Sequence, residues 1–281
     1  MRPARVQLLV TCLVDRFFPG TGESVVRVLE RAGVAVSVPA GQTCCGQPAF
    51  NAGHDSEARA LARYTVDLLS ASSDPVVVPS GSCGDMVIHQ YIALLGDDPE
   101  YGPKVRALAA RTYELTIFLT RVLGVIDVGA HATGTLSYHA CCHGLRGLGV
   151  DGEPKALLAA VEGATTCPLP EAEVCCGFGG LFAVKMSDIS GEMLARKLDA
   201  IEQCGADTIA VTDVSCGMHM NGGLRRRGSK VRVAHIADVL AGEENERLRS
   251  RPGEHPDDSG VVRRGPGEHS DDSGVVRKDR S

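Results

Sequence analysis

Eight of the eleven cysteines in this 281-residue chain fall into two sets with the same internal layout. The first set is Cys12, the adjacent pair Cys44 and Cys45 followed by Gly46, and Cys83. The second is Cys142, the pair Cys175 and Cys176 followed by Gly177, and Cys216. Equivalent positions lie 130, 131 and 133 residues apart. Core packing gives no reason for thiols to recur at matched stations, whereas four thiolates are a donor set for soft metals. The repeat points to two metal centres made by internal duplication, and so to metal or electron chemistry.

Four thiolates suit a [4Fe-4S] cluster, a [2Fe-2S] cluster or zinc. Zinc sites commonly use short knuckles, with about two to four residues between paired cysteines. Neither set contains one. The long separations and vicinal pairs therefore favour iron–sulfur, and the expectation is two [4Fe-4S] clusters, one per half. Adjacent cysteines suit an irregular loop, because a regular strand sends neighbouring side chains to opposite faces. Gly46 and Gly177 let the backbone pass close to such a cluster. Gly179 and Gly180 add backbone N–H groups that can turn toward cluster sulfur and tune its potential.

These cysteines need a frame. In the first half, strands are expected near Val6–Val10, Val34–Val38 and Val76–Val78, with helices over Ser24–Ala32 and Asp55–Leu69. In the second half, strands are expected at Thr135–Tyr138 and Ile209–Val211. Helices are expected at Pro154–Val161 and from a capping Ser187 through Gln203. Strands alternating with helices imply an α/β fold in which each half is a small parallel sheet flanked by helices. Cysteines at strand ends then meet at the rim where open sheets place ligands. The expected division is a first domain over 1–128, including a mostly helical connector from about Asp97 to Ala130, and a second over 129–242. The two centres are expected at related ends of the molecule. Residues 243–281 carry a tandem repeat beginning at Pro252 and again at Pro266, lack a hydrophobic face, and read as a disordered tail with solvated His255 and His269.

Composition narrows the function. Hydrophobic residues make up 43% of the chain, enough for real cores, while aromatics are 4% with no Trp, which removes base-stacking platforms. The net charge of −6 argues against nucleic acid or anionic membrane as partner. No stretch approaches the roughly 20 apolar residues of a spanning helix, so direct membrane insertion is not expected. The N-terminal run ends in a patterned cysteine and reads as a first strand, not a signal peptide. Eleven cysteines without a secretory signal fit the cytosol, with thiols serving metal binding or catalysis.

Longer motifs surround the cysteines: Thr11-Cys12-Leu13-Val14-Asp15, Gly41 to Asn51 around the first Cys-Cys-Gly, Pro79-Ser80-Gly81-Ser82-Cys83, Cys142-His143-Gly144-Leu145-Arg146-Gly147-Leu148, Cys175 to Gly180, and Gly222 to Gly228. Over about residues 5–241 the chain resembles the cysteine-rich, Cys-Cys-Gly domain proteins. These include the Cys-Cys-Gly component of heterodisulfide reductase and the iron–sulfur subunits of glycolate and glycerol-3-phosphate oxidation. The strongest resemblance is to the lactate utilisation protein A family. It implies a cytosolic iron–sulfur subunit of an L-lactate oxidation system yielding pyruvate, working with a ferredoxin-like iron–sulfur protein and a third small subunit. No motif binds flavin or nicotinamide, so hydride removal falls elsewhere or at an open iron site. The alternatives are a scaffold stabilised by zinc or clusters, or a component of a related glycolate or heterodisulfide redox complex. Some Cys-Cys-Gly domains close each motif with a fifth cysteine; here Met86 and His219 stand in its place. Four-thiolate clusters follow, with His219 beside the site or in packing.

Cys141 could replace Cys142, but the repeat offset favours Cys142. Cys167 and Cys204 read as small buried apolar residues. His139 and His143 flank the Cys141–Cys142 pair and could hydrogen-bond cluster sulfur, shuttle a proton or serve structure. Arg225, Arg226 and Arg227 suit the C-terminal end of a helix dipole, with an acidic partner or the substrate carboxylate as alternatives.

Overall fold

The computed structural model describes residues 2–242. The tail, its repeat, and His255 and His269 lie outside the described residues. The first half runs β1 (Arg5–Leu8), α1 (Cys12–Phe17), α2 (Pro19–Arg31), β2 (Ala35–Ser37), α3 (Gln47–Asn51), α4 (Asp55–Leu69), β3 (Val76–Val78) and α5 (Gly81–Asp85). A π-helical stretch, Met86–Gln90, leads into α6 (Tyr91–Leu95), then α7 (Tyr101–Ala109), β4 (Thr112–Glu114) and α8 (Leu115–Ile117). The second half runs β5 (His131–Tyr138), α9 (Cys142–Leu148), α10 (Gly152–Ala159), β6 (Glu162–Thr166), α11 (Phe182–Lys185) and α12 (Ser187–Gln203). It closes with β7 (Thr208–Val211), α13 (Val214–Arg227), β8 (Arg232–His235) and α14 (Ile236–Ala241).

Each half carries a four-stranded parallel sheet, ordered β2-β1-β3-β4 and β6-β5-β7-β8. The shared order and the shared cysteine stations are the marks of a duplication. Apolar runs such as Val76–Val78, buried at every residue, mark strands covered on both faces. The segment expected as a mostly helical connector contains β4, which pairs with β3 through Val77 and Tyr113. β-branched Thr112 and aromatic Tyr113 suit that strand. Met186 occupies the cap position of α12, and Ser187 is its first helical residue.

One apolar core spans both halves. It joins Val25, Val28 and Leu29 of α2 to Ile236, Val239 and Leu240 of α14. Arg31 of α2 donates to the Leu240 and Ala241 carbonyls at 3.2 and 2.8 Å, closing the end of α14. A second close contact sets α5 against α9. A Cβ built on Gly81 would lie 2.6 Å from Gly144 Cα, so only glycine permits this approach.

Candidate metal centre

Each thiol sits just beyond a strand. Cys12 follows β1 and opens α1, where the Thr11 hydroxyl caps the helix by accepting from Val14 N–H. The Cys44–Cys45 pair lies in the loop after β2. Gln42 anchors that loop by accepting from Val10 N–H at 2.7 Å and donating to Leu8 O at 2.8 Å. Cys83 lies in α5, where Ser80 Oγ accepts its backbone N–H at 3.2 Å. Tyr91 Oη donates to Cys45 O at 2.9 Å, and Gln47 donates to Ser82 O at 3.0 Å, tying the second loop to the third. These loops flank the point where strand order reverses, between β1 and β3, the usual ligand crevice of an open parallel sheet. The second half repeats the plan after β5, β6 and β7.

The geometry gathers the sulfurs. Cys45 Sγ and Cys83 Sγ are 3.3 Å apart. Cys44 Sγ accepts from Gly46 N–H at 3.5 Å, and Cys175 Sγ from Gly177 N–H at 3.4 Å. Gly46 and Gly177 hold φ of 88° and 89°, which an L side chain would resist. All eleven cysteines are free thiols. Cys44 is driven down to about 2 by thiol donors Cys12 and Cys45 and then by Gly46 N–H, and Cys12 and Cys45 rise in return. Cys175 is likewise driven down to about 2 by Cys142, Cys176 and Gly177 N–H. In both sets one thiolate is held by hydrogen bonds from neighbouring thiols, and a soft cation would take the place of those protons. The donor set therefore fits a thiolate-bound metal or iron–sulfur group.

All eight patterned cysteines line one cavity of about 330 Å³, a size within the range of small-ligand sites. This corrects the expected placement at related ends. The thiol-bearing strand ends of both halves face each other across the α5–α9 contact. Asp213, just before α13, reaches into the first half: Oδ1 accepts from Ser80 Oγ at 2.5 Å and Ser82 Oγ at 2.9 Å, and Oδ2 from Ser82 N–H at 3.0 Å.

The comparisons with known proteins bear on this arrangement. The model of the family described as Cysteine-rich domain (CCG) matches residues 6–88 and 136–221, one match per half. Lactate utilization protein A of Exiguobacterium sp. is 44% identical over 236 residues, covering 84% of this chain and 96% of that protein. The same-named protein of Shouchella clausii is 46% identical over 239 residues, covering 85% and 99%. This chain belongs to the lactate utilization protein A family. A hypothetical protein from Helicobacter pylori shares the fold, with a TM-score of 0.59 at 9% identity. The match covers 88% of this chain and about half of that one, 50%.

The two halves of this family member are unequal around their thiols. The repeat offset favours Cys142 over Cys141, yet both line the cavity, and Cys141 Sγ donates to His139 O at 3.8 Å. His139 is fully buried, and a ring nitrogen lies within 4.8 Å of Cys176 Sγ and Cys216 Sγ. Burial holds its imidazole neutral, its pKa lowered to about 3. Lys197, also buried, donates to Glu171 O at 2.5 Å; burial lowers its ammonium's pKa, and Cys176, Glu171, Cys175 and Cys141 oppose that and favour the charged form. Sequence reasoning missed Lys197, although a lysine in register with Leu194, Leu198 and Ile201 was a legible signal. Asp213 and its serine partners left no such signal. Met86 is wholly buried in the first-half core with Cys45 and Cys83. His219 packs against Phe178 with ring centroids 5.7 Å apart. His143 Nδ1 lies 3.2 Å from Asp85 Oδ2. Cys167 and Cys204 sit together apart from the cavity, each half-buried, with Cys167 Sγ donating to Cys204 O at 3.4 Å. Arg227 pairs with Asp199 and Glu202 of α12 at 2.7 and 2.9 Å, bracing α13.

Proposed function

We propose that this chain is an iron–sulfur electron carrier in the oxidation of L-lactate to pyruvate. Two [4Fe-4S] clusters would be held by Cys12, Cys44, Cys45 and Cys83 and by Cys142, Cys175, Cys176 and Cys216. The observation carrying this reading is that two thiol quartets, at matched stations of a duplicated fold, open onto one cavity. The names of the relatives direct it toward lactate. Such clusters take up and release single electrons. The chain's own part is to supply thiolates, direct Gly46 and Gly177 N–H toward sulfur, and keep the buried thiols from water. Residues 1–128 and 129–242 are the two units of this reading.

The cytosol suits eleven free thiols. Among the described residues no helix is long and apolar enough to cross a membrane. The proposed partners, a ferredoxin-like iron–sulfur protein and a small third subunit, need a face near a centre. Leu181 at the cavity mouth, with exposed Val184, Met186 and Ile189, offers one.

Anaerobic iron and acid-labile sulfide analysis, with electron paramagnetic resonance of the reduced protein, tests the cofactor. About eight irons per chain is the expected result for two cubanes. A colourless, zinc-bearing protein would refute it and favour a scaffold. Deleting the gene in its host tests the substrate: unimpaired growth on lactate, with no paralogue present, would remove the lactate assignment and leave the clusters untouched.

A further inference from the structure

The halves diverge at three buried positions beside the thiols. Backbone register fixes the first correspondence: Leu9 N–H donates to Val77 O at 3.0 Å, and His139 N–H donates to Ala210 O at 3.0 Å. His139 thus stands where the first half has Leu9, and Cys141 where it has Thr11. The buried faces of α4 (Ala58, Ala62, Thr65, Val66, Leu69) and α12 (Ser190, Leu194, Lys197, Leu198, Ile201) fix the third, Lys197 for Thr65. In each case the second half carries a group that can bind metal or balance charge.

His139 is oriented for a ligand. Its Nδ1 lies 3.0 Å from the Ala172 carbonyl, which can only accept, so Nδ1 carries the proton and Nε2 the lone pair. Nε2 is buried and has no hydrogen-bond partner among the described residues. Buried nitrogens seldom remain unpartnered. A ring nitrogen of His139 and the sulfurs of Cys176 and Cys216 lie mutually within 4.8 Å. A histidine that gives one N–H to a backbone carbonyl and keeps its other nitrogen unpartnered, with the ring beside two cysteine sulfurs, has the orientation of a metal-binding imidazole.

We propose that His139, through Nε2, is a metal ligand of the second centre in place of one thiolate of that quartet, so that this centre has mixed nitrogen and sulfur coordination where the first has sulfur alone. The proposal rests on the iron–sulfur reading above. Cys176 and Cys216 are the buried thiols of the second site and His139 lies beside them, while Cys142 and Cys175 are half-buried. A neutral imidazole adds no negative charge to the group it binds, and the ammonium of Lys197 lies near. Both features set the second centre at the higher reduction potential.

The test uses the full chain, purified anaerobically with 15N-labelled histidine, and pulsed electron paramagnetic resonance of the reduced protein. The expected result is a strong hyperfine coupling from one directly bound histidine nitrogen. His139→Asn keeps a side-chain donor for Ala172 O but loses Nε2, and His139→Leu copies the first half. Both should abolish the coupling and lower the higher of two potentials in a redox titration, leaving the lower one in place. Iron-loaded protein without a bound-histidine signal would overturn this proposal alone. A coupling that persists in both variants would do the same by assigning the ligand to another histidine. Protein without iron would overturn the cluster reading and this proposal together. Should neither variant accumulate, the labelled wild-type spectrum decides.

Discussion

Gly81→Ala should weaken the contact between the halves far more than Gly144→Ala, although the two glycines face each other across it. A Cβ on Gly81 would meet Gly144 Cα at 2.6 Å and Gly144 N at 2.7 Å. Both are backbone atoms, so no side-chain rotation relieves the clash. The helices must part until that distance approaches the 3.4 Å where ordinary contact begins. Asp213 makes this movement costly, because it holds Ser80 and Ser82 on either side of Gly81. Overpacking a fixed contact costs about 1–3 kcal/mol. At this chain length each kcal/mol lowers Tm by about 2–4 °C. A Cβ on Gly144, by contrast, would find its nearest neighbour, Thr212 Oγ1, at 3.6 Å. Within α9 alanine also has the better helix propensity, by up to about 1 kcal/mol. Thermal unfolding followed by circular dichroism, with metal content measured on the same samples, tests the contrast. Gly81→Ala should melt earlier and retain less metal, and Gly144→Ala should match or exceed wild type. Equal melting of Gly81→Ala and wild type, or equal damage from both variants, would refute the steric argument.

Burial raises the Glu114 carboxyl to about 7, with Oε1 unpartnered among the described residues. The unfolded chain releases this proton near the ordinary 4.5 while the native chain keeps it. Glu114 therefore makes stability fall as pH rises from about 4.5 to about 7, by roughly 3 kcal/mol, and the loss levels off above. Glu114→Gln should remove that fall, matching wild type near pH 4 and exceeding it near pH 8 in urea titrations; a parallel pH profile would contradict the assignment. Lys197→Met should lower the potential of the second centre by tens of millivolts, where about 59 mV is a tenfold change for one electron; an unchanged pair of potentials would show that its charge is not felt there. Cys45→Ala should halve bound iron, whereas Cys167→Ala and Cys204→Ala should leave it intact; iron loss from either of the latter pair would make them ligands.

The duplicated α/β frame was legible because its signals are local. Val76–Val78 is a buried strand, the apolar positions of Asp55–Leu69 repeat at helical spacing, and both agree with the structure. β4 was hidden because it is only three residues long and lies within a helical segment. The matched stations of the eight patterned cysteines were legible, since position in a repeat is a property of sequence, and all eight line one cavity. Their shared cavity was not legible. It depends on how two sheets dock, and docking is set by the absent side chain at Gly81 and by an aspartate serving residues more than 130 positions away. That Cys141 also lines the cavity was not legible for a related reason. Repeat logic ranks residues by likeness between halves and so discounts those that differ.

The differences between the halves have an electrostatic consequence. Two thiolate-rich sites on one cavity would repel added electrons, and the cost of reducing each depends on the nearest compensating charge. The first site is backed by Leu9, Thr11 and Thr65, none of which carries charge. The second is backed by a buried lysine and a neutral imidazole. Lys197 keeps its Nζ at Glu171 O, so its charge is fixed in position and little screened by water. For the proposed clusters this orders the two centres: an electron delivered to the cavity settles on the second half, beside the exposed apolar residues Val184, Met186 and Ile189. On that proposal a symmetric duplication would leave both sites equal and the electron without direction, and the buried changes at 139, 141 and 197 would distinguish an entry from an exit.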